Sequence, residues 1–235
     1  MVIGAGILGL ATARELLLRH PAMRLVVVDK EAQIGAHQTG HNSGVLHAGL
    51  YYAPGSLKAR LCRSGKAKLE AYADEHGITV QQCGKLVIAI DNTELAALDE
   101  LHRRGEANGV PGLQMLGPAA LRDVEPHATG LRALWSPSTA IIDYRAVASA
   151  MADDVGRSGG EIRLGTEVTG ISRSSGSLLM ESTSETLVAR NVVACAGLQS
   201  DRVSEMTGAT ASETVVPFRG SYFVLSPATR NMVRG

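Results

Sequence analysis

The stretch "HQTGHNSGVLHAGLYYAPGSLKARL", His37 to Leu61, gathers three of the chain's seven histidines, four glycines and the adjacent pair Tyr51 and Tyr52. It ends in a basic run with helical character. Histidine has an ordinary pKa near neutrality, so His37, His41 and His47 are candidates for moving a proton or holding a metal. Gly40 and Gly44 allow the backbone to approach a bound group closely. A zinc site built from the three histidines needs a fixed scaffold. This loop is glycine-rich and lacks the helical H-E-x-x-H pattern, so no metal is expected. The two tyrosines are most simply packing residues. Lys58 is most simply a solvated helix residue.

A second candidate lies at the start of the chain. Gly4, Gly6 and Gly9 form G-x-G-x-x-G. Alone the pattern is weak, but its surroundings strengthen it. "MVI" before it reads as the end of a strand, "ILGLATARELLLRH" after it as a helix, and "RLVVVDKE" as a buried strand. Asp29 ends that strand, 20 residues after Gly9. This is the spacing of a carboxylate that holds the ribose of a bound dinucleotide. Gly4 permits the tight turn, Gly6 lets pyrophosphate meet the backbone, and Gly9 lets helix and strand pack. The free N–H groups of the helix then face the phosphates. The bland alternative is a βαβ unit without a ligand. Lys30, next to Asp29, is placed with the cofactor-binding set.

These residues need a scaffold. "SLKARLCRSGKAKLEAYADEHG" carries Leu57, Leu61, Leu69 and Tyr72 at helical spacing, with Gly77 as its C-terminal cap. "CGKLVIAID" reads as a strand. "NTELAALDELHRRGEANG" reads as a helix capped by Asn92 or Thr93, with Leu95, Leu98 and Leu101 on one side. "LGPAALRDVEPHA" is a short helix closed by Pro126, and "LRALWSPSTAIID" a strand pair around a Ser-Pro turn. "YRAVASAMADDVGRSGG" is the clearest helix, with Tyr144, Val147, Ala148, Met151 and Val155 on one face. Four short strand patterns follow, with a hairpin at Ser174–Gly176. "PFRGSYFVLSP" is a last strand.

The order predicts an α/β fold. A Rossmann-like, dinucleotide-binding domain is interrupted by a smaller, sheet-rich α+β substrate domain. Residues 1–80 form the first part of the binding domain and 81–142 the first part of the substrate domain. Residues 143–212 complete the binding domain, and 213–235 begin the return to the substrate domain. Only three residues precede Gly4, fewer than the five or six of an ordinary first strand. The chain therefore reads as one that begins late.

Composition narrows the function. The chain has 235 residues, 45% of them apolar, enough for a sizeable core. Lysine plus arginine and aspartate plus glutamate number 23 each, and no basic block is present, so no nucleic-acid partner is expected. Cys62, Cys83 and Cys195 are odd in number and far apart, which suits reduced thiols in a cytoplasmic protein. The apolar start lacks a basic leading segment and falls short of the roughly 20 apolar residues of a membrane span.

With these motifs in view, the chain resembles FAD-dependent oxidoreductases of the D-amino-acid-oxidase-like group. Within it, "HQTGHNSGVLHAGLYYAPGSLKARLC" is similar to the branch that oxidises L-2-hydroxyglutarate. "CGKLVIA", "STAIIDYRAV", "ACAGLQSDRV" and "PFRGSYF" support the resemblance across nearly the whole chain. It implies FAD, with noncovalent binding favoured over attachment through a histidine, and oxidation of a small 2-hydroxy dicarboxylate to 2-oxoglutarate, with hydride passing to flavin N5. Electrons then go to a quinone chain or to oxygen, with the protein cytoplasmic or peripheral on the inner face of the cytoplasmic membrane. It further implies that Thr39, Gly40, His41, Asn42, Ser43 and Gly44 line the pyrophosphate and flavin edge. Val168, in Thr166-Glu167-Val168, matches the position whose backbone meets adenine, and Ala196 and Gly197 match a turn close to the dinucleotide. The reaction needs a base and cations for two carboxylates. His47 and Arg219 are the catalytic candidates, with His41 second to His47 as base. The same group contains glycine and sarcosine oxidases, and an NAD-dependent dehydrogenase is a third reading. Relatives are much longer, so the chain reads as an N-terminal fragment, and an inactive FAD-binding fragment is a further alternative.

Overall fold

Helix α1 (Ile7–Arg19) descends onto a parallel sheet through a turn with no side chains at its tightest points. The computed structural model describes residues 1–210, 213–229 and 232–234 and divides into two units. The first comprises residues 1–42 and 144–220, the second 43–143 and 221–235.

In the first unit, strands β1 (Val2–Ile3), β2 (Val26–Val28), β9 (Glu161–Arg163) and β13 (Val193–Ala194) form a parallel sheet ordered β13-β1-β2-β9. Successive strand side chains point to opposite faces. Val2 and Val27 accordingly pack with Ala13 and Leu17 of α1 and Val155 of α5 (Tyr144–Arg157). Ile3 and Val28 turn the other way. They meet Val168, Met180 and Leu187 of an antiparallel sheet, β10 (Val168–Ser174), β11 (Ser177–Ser182) and β12 (Thr186–Ala189), and Val203 of α6 (Ser200–Met206). Both faces of the central sheet are thus covered, which is why its strands read as continuous apolar runs. Helices α1 and α5 meet through Leu10, Ala148 and Ala152, and Arg14 Nε pairs with Asp154 at 2.7 Å. The predicted hairpin is present, with Ser174 opposite Ser177 and both loop residues, Ser175 and Gly176, at positive φ (47° and 79°). This backbone suits the right-handed twist of paired strands.

The second unit holds two antiparallel sheets. One is β3 (Val45–Leu46), β8 (Ala140–Ile142) and β4 (Val80–Gln81), with β8 central. The other is β5 (Lys85–Ala89), β7 (Arg132–Ser136) and β6 (Gln114–Leu116), with β7 central. Helices α2 (Leu57–Glu75), α3 (Leu95–Ala107) and α4 (Pro118–Val124) complete it. Gly77, at φ 65°, follows α2, and Ile78 N–H returns to the Ala73 carbonyl at 2.8 Å, the closure expected of a glycine cap.

Several elements differ from the sequence reading. The compact units divide at 42/43, 143/144 and 220/221, where local patterns suggest 80/81, 142/143 and 212/213. Strand β3 belongs to the second unit because Val45 and Leu46 pair with Ile141 and Ala140. Strands β7 and β8 flank the Ser-Pro turn but lie in different sheets, so they form no hairpin. Helix α3 is capped by neither Asn92 nor Thr93; Glu94 is its N-cap, and its carboxylate accepts the Ile90 N–H at 2.8 Å. Leu57 and Leu61 are exposed, while Tyr72 is buried as expected, together with Ala59 and Ala73. The last predicted strand, over 217–227, is irregular and exposed, with no ladder partner among the described residues.

Gly9 is the tightest point of the first unit, since a Cβ there would overlap the Gly4 carbonyl oxygen. Gly9→Ala is expected to destabilise the protein by about 1–3 kcal/mol or more, the range for overpacking a fixed contact. Urea unfolding measures this, and unchanged stability would contradict the contact.

Candidate functional site

The first unit brings most of the candidate binding residues to one end of its parallel sheet. Gly4 turns the chain at φ 109° and donates its N–H to the Val28 carbonyl at 2.8 Å. A Cβ on Gly4 would strike the Cys195 carbonyl, and one on Gly9 would strike Gly4. Packing of the chain on itself therefore accounts for both glycines. Gly6 is different. It has an ordinary extended backbone, φ −78° and ψ 174°, and an added Cβ would meet only Thr39 Oγ1, at 3.3 Å. The fold leaves the space beside Gly6 to something else.

That space opens at the N-terminus of α1. Gly6 offers no capping side chain. Ile7 N–H is met by Thr39 Oγ1 at 3.0 Å, while the N–H groups of Leu8 and Gly9 have no acceptor among the described residues. Such N–H groups, at the positive end of the helix dipole, favour an anion such as pyrophosphate. Asp29 stands beside them. Its Oδ2 accepts Ala5 N–H at 2.6 Å and its Oδ1 accepts Glu31 N–H at 2.9 Å. A carboxylate has about four lone-pair sites, so roughly two remain for ribose hydroxyls. Thr166 N–H donates to the Asp29 carbonyl at 2.8 Å, which brings the 166–168 segment next to this carboxylate. The Val168 side chain is buried in the core, leaving its backbone as the part able to meet a base. Ala196 and Gly197 follow Cys195 against the Gly4 turn, and Gly197 adopts φ 56° beside Gln38. A glycine-lined turn, open helix N–H groups and a partly satisfied carboxylate fit a dinucleotide.

Residues 37–42 form a self-bonded turn. His41 Nδ1 donates to the His37 carbonyl at 2.9 Å. Asn42 Nδ2 donates to the carbonyls of Gln38 and Thr39 at 3.0 and 2.8 Å. Gly40 has a packing role that the sequence did not reveal. Arg145 Nε donates to its carbonyl at 3.3 Å, and a Cβ there would lie 2.7 Å from both Arg145 Nη2 and Gly35 O. Lys30 turns to Glu31 at 3.3 Å, and Glu31 also meets His37 Nε2 at 3.0 Å. The Lys30 hydrogen bond is the main reason that the Glu31 carboxyl lies below its ordinary pKa. Arg219 is exposed on an irregular stretch.

Ser43, Gly44 and His47 belong to the second unit. Gly44 sits at φ 70°, and its carbonyl accepts Ile142 N–H at 2.9 Å. The carbonyl of His47 accepts Cys62 Sγ–H at 3.4 Å. Two neighbours missed in the sequence shape this segment. Asn108 Nδ2 donates to the carbonyls of Gly49 and Tyr52 at 3.0 and 2.9 Å, stapling the turn. Lys85 Nζ lies 4.6 Å from the Tyr51 ring centroid. Among the described residues no group of three or more His, Cys, Asp and Glu side chains could hold a metal ion, and no helix is long and apolar enough to cross a membrane.

With this geometry established, the family model described as FAD dependent oxidoreductase (DAO) matches residues 1–235. The chain is 42% identical over 248 residues to a mitochondrial L-2-hydroxyglutarate dehydrogenase of Nematostella vectensis, covering 100% of this chain and 54% of the relative. It is 43% identical over 247 residues to the Homo sapiens protein of the same name, covering 100% and 53%. An L-2-hydroxyglutarate dehydrogenase of Salmonella houtenae is 39% identical, with 99% and 55% covered. Among solved structures, the FAD-bound L-alpha-glycerophosphate oxidase of Mycoplasma pneumoniae superposes with a TM-score of 0.82 at 27% identity, over 88% of this chain and 56% of that one. Glycine oxidase of Geobacillus kaustophilus reaches 0.81 at 23% identity, over 90% and 58%, and shares the fold. The chain spans about half the length of the curated relatives it matches.

His47 is exposed, yet enough protein surrounds its ring that desolvation lowers its pKa below 6.5, and the charge of Lys85 lowers it further. The shift favours the neutral imidazole, with a lone pair available. Unfolding raises its proton affinity, so this residue's contribution to stability falls as pH drops below the unfolded value towards the folded one. An NMR titration of the ring is expected to show a midpoint below 6.5. A midpoint above that value would contradict the description.

Proposed function

Because the chain belongs to the FAD-dependent oxidoreductase family, we propose that its first unit binds FAD and that the protein oxidises L-2-hydroxyglutarate to 2-oxoglutarate. The observation that carries the cofactor reading is the space at Gly6, which nothing in the fold requires and which adjoins the open N–H groups of α1. Leu8 and Gly9 N–H groups would hold the pyrophosphate, Asp29 the ribose, the Val168 backbone the adenine, and Ala196 and Gly197 the flank of the dinucleotide. The His41–Gly44 segment holds the cofactor nearer its reactive end. When bound, FAD supplies a two-electron acceptor for the Cα hydride of the substrate.

The rest of the proposal concerns the chain's own groups. Oxidation of a secondary hydroxyl to a ketone releases a hydride from carbon and a proton from oxygen. His47 is assigned to the proton, because a neutral imidazole can accept it without first losing one. Arg219 is assigned to a substrate carboxylate, where a guanidinium makes charge-assisted contacts. The substrate assignment is supported by identity of about 40% to dehydrogenases of that name along the whole chain. Electrons leave to a quinone chain or to oxygen. The quinone route brings a cytoplasmic protein to the inner membrane face.

The experiment separates the two histidines. In FAD-loaded protein, His47→Ala is expected to keep its yellow colour and lose flavin reduction by about 10²–10⁴-fold, the range for loss of general-base catalysis. His41→Ala is expected to lose flavin instead. Stopped-flow mixing with L-2-hydroxyglutarate measures both. A His47→Ala protein that reduces its flavin at the normal rate would place the base elsewhere.

A further inference from the structure

Several cations of this protein are answered by carboxylates. Arg14 pairs with Asp154, Arg104 with Glu100, and Lys66 with Glu70. Of the two half-buried lysines, Lys66 is the paired one. The other, Lys85, has no acidic partner among the described residues. Its ammonium instead lies over the face of Tyr51, 4.6 Å from the ring centroid. A π face attracts a cation without neutralising it, so the charge stays available to an anion.

The position is built. Lys85 opens β5, where alternate side chains share a face. Val87 and Ala89, two and four residues on, share a hydrophobic cluster with Ala48 and Leu50. That cluster joins the strand to the loop after β3, and Lys85 meets the same loop at Tyr51. Gly84 fixes the start of the strand: it takes φ 75°, a Cβ there would overlap the Trp135 ring, and its N–H donates to the Thr139 carbonyl at 2.9 Å. Asn108 holds the opposite side through Gly49 and Tyr52. Both partners of the lysine–tyrosine contact are thus anchored by backbone hydrogen bonds.

We propose that Lys85, seated on Tyr51 beside His47, is a carboxylate-binding residue of the substrate site and selects for a dicarboxylate. This rests on the substrate reading above, which calls for two cations and had assigned only Arg219. Lysine suits the role as a compact point charge on a flexible stem. Sequence inspection passes over it because "CGKLVIA" reads as an ordinary strand.

The test uses glutarate, which has both carboxylates and no hydroxyl, and the FAD-loaded protein. Lys85→Met keeps the stem and removes the charge, and Lys85→Arg keeps the charge. Lys85→Met is expected to weaken glutarate binding and raise the KM for L-2-hydroxyglutarate by about 10-fold to 100-fold, the loss of one charge-assisted hydrogen bond. The kcat should change less than the KM, and Lys85→Arg should recover most of the binding. Glutarate should also shift the His47 and Tyr51 ring resonances of the unmutated protein, a readout independent of how the variants fold. Wild-type glutarate affinity in Lys85→Met, or silent His47 and Tyr51 resonances, would overturn the proposal. If the unmutated protein binds glutarate through Lys85 yet does not oxidise L-2-hydroxyglutarate, the substrate reading fails and the site stands. If it oxidises that substrate and Lys85→Met does so with the same KM, the site fails and the substrate reading stands.

Discussion

At Gly9 the backbone of α1 lies so close to the Gly4 carbonyl that no side chain fits between them. This contact fixes where the helix begins. It sets the N-terminal N–H groups directly beyond the end of β1, beside the Asp29 carboxylate that ends the neighbouring strand. Gly4 in turn abuts the Cys195 carbonyl, so β13 delivers Ala196 and Gly197 to the same place. Three segments far apart in sequence converge because two residues have no Cβ. Leu10, Ala13 and Leu17 then lie on the buried stripe of the helix, and the apolar core forms beneath the turn.

The second unit positions its side chains by another route. Its sheets are antiparallel and its candidate residues sit on a loop packed against one sheet face. Loop residues have no helix dipole to exploit, so their placement depends on staples: Asn108 across Gly49 and Tyr52, and Cys62 on the His47 carbonyl. Partial desolvation and the nearby Lys85 keep His47 neutral. The same lysine thus both suppresses the protonated form of the histidine and offers charge to an anion.

What local patterns revealed follows from how far each interaction reaches. The βαβ start was legible because three glycines and Asp29 lie within one short segment. Helix α5 and the Ser175–Gly176 hairpin were legible for the same reason. Strand β3 was not, since its membership is decided by pairing with Ile141 and Ala140, about a hundred residues away. The separation of β7 and β8 into different sheets was hidden for the same cause. The stretch at 217–227 has the composition of a strand, but a strand exists only with a partner. Gly40 carried a correct signal with an unforeseen reason, the Arg145 guanidinium. The partners of Arg145, Asn108 and Lys85 lie far from them in sequence, and only the fold brings them together.

The central claim is that the Gly6 turn and the open N–H groups of α1 hold a cofactor. Substituting Gly6 tests it most directly, because an added Cβ meets a single side-chain atom of the chain, Thr39 Oγ1 at 3.3 Å, whereas a side chain there would keep a pyrophosphate from the backbone. The measurement is bound-flavin absorbance per protein, taken with thermal unfolding, for Gly6→Val and the unmutated protein. The account predicts a yellow unmutated protein and a colourless variant that still unfolds cooperatively. Full flavin occupancy in folded Gly6→Val would contradict it.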